Sequence, residues 1–272
     1  MEIKINDDFD LKKIVDCGQC FRPKEVKPGI FRFIIGDNIL HISKREEGLF
    51  EVDCSADDWE RVWKNYFDLN TNYAKIRSDV DNFAAGKPYE KFLCDAVNFG
   101  KGIRILRQDP FEMLVSFIIS QRKTIPAIRS SVEKICEKFG RRVGDVYLFP
   151  RVKEISNAMI EDLSGLGLSY RKDYLVDALE KISSGAIDFK ELETFSDNDL
   201  TEELKLINGV GDKVANCVAL FAYHRVDRAP VDVWIKRAID DNFGGKNVFA
   251  LFGKNAGILQ QYIFYRKRNK KR

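Results

Sequence analysis

The stretch Leu206-Ile207-Asn208-Gly209-Val210-Gly211-Asp212-Lys213 constrains this chain more than any other. Gly209 and Gly211 bracket Val210 in a hydrophobic turn, where a missing Cβ lets the backbone take positive φ and press against an anion. From Lys213 to Phe221 no helix breaker occurs and apolar residues repeat at helical spacing. The turn therefore opens a helix whose free N-terminal amides and dipole face a phosphate-like group. Nineteen residues after Lys213, just past Pro230, Asp232 stands where a carboxylate caps the helix that begins at Val233.

Hairpin, Lys213 and Pro230-Val231-Asp232 together resemble the helix-hairpin-helix/Gly-Pro-Asp superfamily of DNA base-excision glycosylases, over roughly residues 110 to 264. Either residue alone reads as a solvated helix-start lysine or a capping aspartate. The pair at this spacing implies more. Members with a lysine at this helix position are bifunctional: the amine attacks the sugar C1′, expels the base, forms a Schiff base and breaks the strand by β-elimination. Only a neutral amine is nucleophilic, so the site has to disfavour the ammonium. Asp232 has the opposite task, remaining ionised to stabilise the oxocarbenium-like transition state. Lys213 and Cys217 share one helix face at i and i+4. The Cys217 thiol either pairs with the lysine, giving a polar contact that recognises a base dipole, or fills the core as a small apolar residue.

Other segments narrow the resemblance to the 8-oxoguanine DNA glycosylases. Asp16-Cys17-Gly18-Gln19-Cys20-Phe21-Arg22 is similar to the segment whose glycine carbonyl accepts the N7 hydrogen that 8-oxoguanine has and guanine lacks, which assigns that contact to Gly18. Arg107-Gln108-Asp109-Pro110-Phe111-Glu112 resembles the junction into the catalytic domain, and Tyr66-Phe67-Asp68-Leu69-Asn70 with Tyr73 matches a recurring N-terminal segment. Ala256 to Phe264 resembles the segment whose glutamine, here Gln260, reads the Watson–Crick edge and whose phenylalanine, here Phe264, stacks on the extruded base. From spacing alone it is an ordinary amphipathic terminal helix. In Tyr170-Arg171-Lys172-Asp173-Tyr174 the resemblance makes Tyr170 a wedge in the base stack and Arg171 a contact to the orphaned base. Backbone carbonyls of Lys205, Ile207 and Val210 match positions that hold a Na, K, Ca or Mg ion beside a DNA phosphate.

Departures from the eukaryotic-type pattern mark a bacterial-type variant. Arg122-Lys123-Thr124-Ile125-Pro126-Ala127 stands where relatives carry an asparagine and an arginine that read the opposing cytosine, now Arg122 and Ala127. A methyl group reads no base edge, so cytosine preference is expected to relax. Trp234 replaces a histidine that contacts DNA in many relatives.

At 272 residues the chain is long enough for a sizeable core. Its net charge of +3 hides an asymmetry: six cations lie in the last seven residues, so the remainder is net negative by three. Any DNA-facing basic surface must be local, and the tail reads as a disordered arm adding salt-sensitive phosphate affinity or as a solubilising end. No apolar run spans a bilayer and Met1-Glu2-Ile3-Lys4-Ile5 lacks a secretion signal, so a soluble intracellular protein is expected, in the cytoplasm or nucleoid if bacterial. The six cysteines, at 17, 20, 54, 94, 136 and 217, read as reduced thiols, and Cys17-x-x-Cys20 has no second pair to complete a zinc site. No cysteine follows Cys217, which argues against the iron–sulfur cluster of endonuclease III-like relatives.

The expected fold class is α+β: an N-terminal antiparallel β-sheet lobe with helices over residues 1–108, a mainly α-helical helix-hairpin-helix glycosylase domain over 109–265, and a basic tail over 266–272. Strands are expected over Ile30 to Ile35 and Ile39 to Ile42, and a helical stretch around Ala56 to Tyr66. Further helices are expected over Phe111 to Gln121, Ile125 to Phe139, Ile155 to Leu163, Tyr170 to Ser183, Asp197 to Leu204, Lys213 to Tyr223 and Val233 to Asn242. The expected function is a bifunctional 8-oxoguanine DNA glycosylase/abasic-site lyase. It acts as a monomer on double-stranded DNA containing 8-oxoguanine, needs no cofactor for chemistry, and encloses the flipped nucleotide between its lobes. A broader purine or alkyl-base glycosylase is the enzyme alternative, and a non-catalytic helix-hairpin-helix DNA-binding protein the other.

Overall fold

The computed structural model describes residues 1–269; Lys270, Lys271 and Arg272 of the basic tail lie outside the described residues. The elements run β1 (Glu2–Lys4), α1 (Leu11–Asp16), β2 (Lys24–Lys27), β3 (Ile30–Ile35), β4 (Asn38–Glu46), β5 (Leu49–Val52), α2 (Ala56–Asp58), α3 (Lys64–Tyr66), α4 (Tyr73–Ala84) and α5 (Glu90–Gly100). They continue with α6 (Pro110–Ser120), α7 (Ile125–Phe139), β6 (Arg142–Val143), β7 (Val146–Tyr147), α8 (Val152–Ile155), α9 (Arg171–Ser183), α10 (Phe189–Leu192) and α11 (Asp197–Leu204). The last are α12 (Asp212–Phe221), α13 (Val233–Phe243), α14 (Val248–Phe252) and α15 (Ala256–Asn269). The α+β class expected from the sequence is observed.

Strands β1 to β5 form one sheet in the order β1-β5-β4-β3-β2, with antiparallel pairing in the β1/β5, β2/β3 and β4/β5 ladders. The chain divides into two compact units that do not follow chain order. The first comprises Met1–Phe33, Leu40–Arg107 and the segment from His224 onward; the second comprises Ile34–Ile39 and Gln108–Tyr223. α13 and α15, expected within one body over 109–265, thus group with the N-terminal lobe, because α15 lies along α5 and α13 packs on α15.

In the first unit, Phe9, Phe33, Phe50, Trp59, Trp63, Tyr66 and Phe67 meet largely edge to face, with Phe33 and Phe67 centroids 4.9 Å apart. Between α2 and α3 the helix widens into a π turn over Trp59–Trp63, burying both tryptophans on this cluster. Behind it Arg104 is fully buried, yet its guanidinium donates to the carbonyls of Phe67, Asp68, Thr71 and Asp8 at 2.7–3.1 Å. A buried cation is tolerable when its donors are satisfied in this way. Asp68 is a buried anion beside it, while the carboxylate nearest the Arg104 guanidinium is that of Asp7 at 3.5 Å. The Asp68 carboxylate accepts from Thr71 and Tyr73 hydroxyls at 3.0 Å, from Arg107 at 3.2 Å, and faces His224 at 3.3 Å. Burial pushes this carboxyl up, but hydrogen bonds from His224, Thr71 and Tyr73 outweigh it and hold Asp68 below its ordinary value.

The second unit is helical. Asp109 caps α6 by accepting from Glu112 N–H at 2.8 Å, with Pro110 at the first helical position, and the apolar α6 packs against α7, α9 and α12. One expected helix fails. Ile155 to Leu163 is replaced by the single turn α8 and a run of tight turns, in which Met159 N–H donates to the Asp162 carboxylate at 3.0 Å. Ile155 and Leu163 at the two ends of this segment are buried, but Met159 between them is 68% exposed and Ile160 41%, so no continuous apolar stripe repays the ordering of a longer helix there.

The expectation of a disordered arm is also corrected over residues 266–269. α15 continues through Asn269, with Arg266 paired to Asp95 at 3.1 Å and Lys267 to Asp241 at 2.8 Å, while Arg268 donates to the Asp16 carbonyl. Partners on α1, α5 and α13 convert those three tail cations into helix anchors.

Candidate active site

The hairpin forms as a turn from Leu204 to Gly211 between α11 and α12. Val210 N–H donates to the Ile207 carbonyl at 3.0 Å, and Gly209 takes φ +78°. A Cβ on Gly209 would lie 2.2 Å from the Tyr174 ring, so both conformation and space require glycine there. Gly211 differs from expectation: it caps α12 at φ −104°, with open space where a Cβ would go. Its lack of a side chain leaves the helix N-terminus clear and is not a demand of the backbone.

α9 braces the hairpin. Asp177 accepts from the Asn208 backbone N–H at 2.7 Å and from the Asn208 amide at 2.9 Å, and Lys181 donates to Asp177 and to the Leu206 carbonyl. At the start of α9 Tyr170 is 44% exposed and rests edge-on against Tyr174, with centroids 5.8 Å apart. Arg171, expected to reach toward a base, is instead buried. Its guanidinium lies over the Tyr170 ring and donates to the carbonyls of Gln121 and Leu168, which satisfy it inside the fold. The Gln121–Thr124 turn carries exposed Arg122 at φ +52° and is held by Lys123, whose amine donates to the Ser131 hydroxyl at 2.6 Å and the Gly167 carbonyl at 2.8 Å. Burial, together with Arg171 and Lys134, holds the Lys123 amine below its ordinary value. Ala127 follows on the first turn of α7.

Lys213 occupies the first turn of α12, half-buried. Its Nζ donates to the Ser120 hydroxyl at 3.1 Å and lies 4.8 Å from the Phe117 ring centroid; Phe117 in turn stacks on Phe221 at 5.6 Å. The Ser120 hydroxyl itself donates a hydrogen bond to the Phe117 carbonyl at 2.7 Å, leaving its oxygen to accept from the amine. Sequence reasoning missed Ser120 and Phe117, which lie some 93 residues away along the chain and give no local signal. Cys217 is buried one turn further along the same helix.

The first unit carries the other candidates. Asp232 caps α13 as expected, Oδ1 accepting from the Trp234 and Ile235 backbone N–H groups at 2.9 Å each. Oδ2 accepts no hydrogen bond among the described residues. Val231, Val233 and Trp234 around it are exposed, and the Arg237 guanidinium lies 5.7 Å from the Trp234 ring. On α15 Gln260 is only 4% exposed, yet its Oε1 has no partner among the described residues. Phe264, one turn on, is half-buried with the Arg268 guanidinium 5.6 Å from its ring. Gly18 follows α1 at φ +84°.

Carbonyls of Lys205, Ile207 and Val210 are oxygen donors of the kind a hard cation takes. The Ile207 oxygen accepts the Val210 N–H and keeps a second lone pair.

A helix-capping aspartate, a lysine on the helix that follows a two-glycine hairpin, and an antiparallel lobe define the class: a helix-hairpin-helix base excision DNA repair protein. Residues 2–114 match the family model for the 8-oxoguanine DNA glycosylase N-terminal domain, and residues 115–248 match that for HhH-GPD superfamily base excision DNA repair proteins. The chain belongs to the 8-oxoguanine DNA glycosylase family of bifunctional DNA N-glycosylase/lyases. It is similar to the solved Clostridium acetobutylicum 8-oxoguanine glycosylase/lyase in complex with double-stranded DNA, at 32% identity and TM-score 0.89, covering 98% of this chain and 97% of that one. A structure of MBOgg1 with a low-affinity DNA ligand gives TM-score 0.91 at 33% identity, covering 98% of this chain and 94% of that one. The Saccharomyces cerevisiae N-glycosylase/DNA lyase is 33% identical over half of this chain, a match that spans 41% of the yeast protein. Among the described residues no helix is long and apolar enough to cross a membrane.

Proposed function

We propose that this protein excises 8-oxoguanine from duplex DNA and then cleaves the abasic strand, with Lys213 as nucleophile. The observation that carries this reading is the Lys213 amine itself, half-buried on the hairpin helix and held by one neutral hydroxyl and one aromatic face. In the first step the Nζ–C1′ bond forms and the C1′–N9 bond breaks, its electron pair leaving with the base, which gains a proton. The nitrogen lone pair then expels O4′, which takes a proton as the sugar ring opens, and the Schiff base so formed acidifies the C2′ hydrogen; removal of that proton breaks the C3′–O bond and leaves a 5′-phosphate. Asp232 Oδ2, free of hydrogen bonds, supplies negative charge to the sugar as the base departs. The orphaned Gln260 Oε1 gains a partner when it accepts from a base N–H, which favours Gln260 as the reader of the Watson–Crick edge. Cys217, Phe264 and Trp234 complete the contacts to base and DNA, and Tyr170 fills the gap in the stack.

The opposite-base preference follows from the Gln121–Thr124 turn. With Ala127 lacking a donor and Arg171 engaged with backbone carbonyls, only the exposed Arg122 is left to meet the orphaned base, and discrimination is weak. At the hairpin, the Gly209 and Gly211 amides on either side of Val210, and a cation on the Lys205, Ile207 and Val210 carbonyls, hold the phosphate independently of sequence. The protein acts as a monomer.

The test is single-turnover reaction on duplexes carrying 8-oxoguanine, an alkylated purine or undamaged guanine, with release of base and cleavage of strand followed separately. Preferential release of 8-oxoguanine accompanied by a cleaved strand is expected. Release without cleavage, or preference for the alkylated purine, contradicts the proposal.

A further inference from the structure

Gly18 sits half-buried in a loop whose two flanking residues, Cys17 and Gln19, are fully buried. Every polar group around it is tied down. The Asp16 carbonyl accepts from Arg268, and the Cys17 carbonyl accepts from Gln261 Nε2 at 2.7 Å, both donors lying on α15. The Gln19 side chain is fixed at both ends, donating to the Cys17 sulfur at 3.0 Å and the Arg104 carbonyl at 2.7 Å while accepting from Leu106 N–H at 2.8 Å. The Cys17 sulfur thus anchors the side chain of the residue that follows Gly18. The Gly18 carbonyl accepts no hydrogen bond among the described residues.

We infer that Gln261 and the Cys17 sulfur are positioning residues that aim the Gly18 carbonyl, so that they set how sharply the protein separates a purine bearing an N7 hydrogen from guanine. This rests on the proposal that the Gly18 carbonyl reads the lesion. Gln261 fixes the peptide plane before Gly18, and Cys17 anchors Gln19 on its other side; with both flanks held, the glycine, which would otherwise rotate most freely, is confined. A carbonyl held in place accepts from N7–H and opposes the N7 lone pair of guanine, whereas a carbonyl free to rotate evades that opposition. α15 thereby serves the base twice, through Gln260 and Phe264 directly and through Gln261 by way of the loop. Burial holds the Cys17 thiol above its ordinary value, which keeps it a neutral acceptor.

The experiment measures single-turnover release of 8-oxoguanine and of guanine, alongside strand cleavage at a preformed abasic site, which contains no base to read. Gln261→Met keeps length and bulk but removes the donor; Cys17→Ala removes the acceptor; Cys17→Ser keeps an acceptor. Gln261→Met and Cys17→Ala are expected to shrink the 8-oxoguanine/guanine ratio by about tenfold or more, with abasic-site cleavage within about twofold of the parent, and Cys17→Ser to retain most of the ratio. Unchanged ratios in both variants overturn the inference, as does a parallel loss of abasic-site cleavage, which marks a purely structural role. A separate control tests the parent proposal: the unmodified protein should reject the 7-deaza analogue of 8-oxoguanine, which carries C–H at that position. If it does not, Gly18 is not the reader, a failure distinct from unchanged variant ratios.

Discussion

At the residue scale, the proposed chemistry is divided between two side chains, and both are legible because their positions follow from local rules. Asp232 was placed by capping logic and does cap α13, with one oxygen spent on two amides and the other uncommitted. Its proposed role in the transition state predicts that Asp232→Asn slows single-turnover base release by about two orders of magnitude or more while duplex affinity changes little. An affinity loss as steep as the rate loss assigns Asp232 to the cap alone. Ser120 and Phe117 were not legible, since nothing near Lys213 in sequence signals a hydroxyl and an aromatic face delivered by another helix. The same holds for Arg171, whose exposure could be judged only once the Gln121 carbonyl was seen to receive it.

At the element scale, the hairpin separates two glycines that look alike in sequence. Gly209 combines positive φ with contact against Tyr174, so Gly209→Ala should destabilise the fold by about 1–3 kcal/mol, read as a lower thermal midpoint. Gly211 has neither constraint. Gly211→Val should leave the midpoint nearly unchanged and weaken binding to damaged and undamaged duplex alike, because its side chain would obstruct the amides of α12. Loss confined to damaged duplex argues against a phosphate grip. Helices with a strong apolar stripe, such as α7 and α11, are legible to the residue, whereas the 155–163 segment buries Ile155 and Leu163 but leaves Met159 and Ile160 between them exposed. α15 read as an ordinary amphipathic helix; its cations find carboxylate partners on α5 and α13 that only the fold reveals.

At the scale of the whole molecule, composition and periodicity gave the α+β class but not the grouping of the chain, since the return of α13 and α15 to the N-terminal lobe is a long-range event. Asp68 shows what such events do to stability. Its carboxyl is held below its ordinary value, so the stabilisation is present above the unfolded value near ~4 and is lost as pH falls through the folded one. Asp68→Asn should cost about 1–3 kcal/mol at neutral pH, with the gap to the parent narrowing as urea melts are repeated below about pH 4. A gap that stays constant down to the acid limit would show that shape, not charge, is what Asp68 contributes. The central claim, that Lys213 is the nucleophile of a glycosylase/lyase, is tested most directly by borohydride trapping on 8-oxoguanine duplex. The parent protein should form a covalent protein–DNA complex whose linkage maps to Lys213, and Lys213→Gln should bind the same duplex without forming it. Equal trapping by Lys213→Gln would contradict the account and assign the Schiff base to another amine.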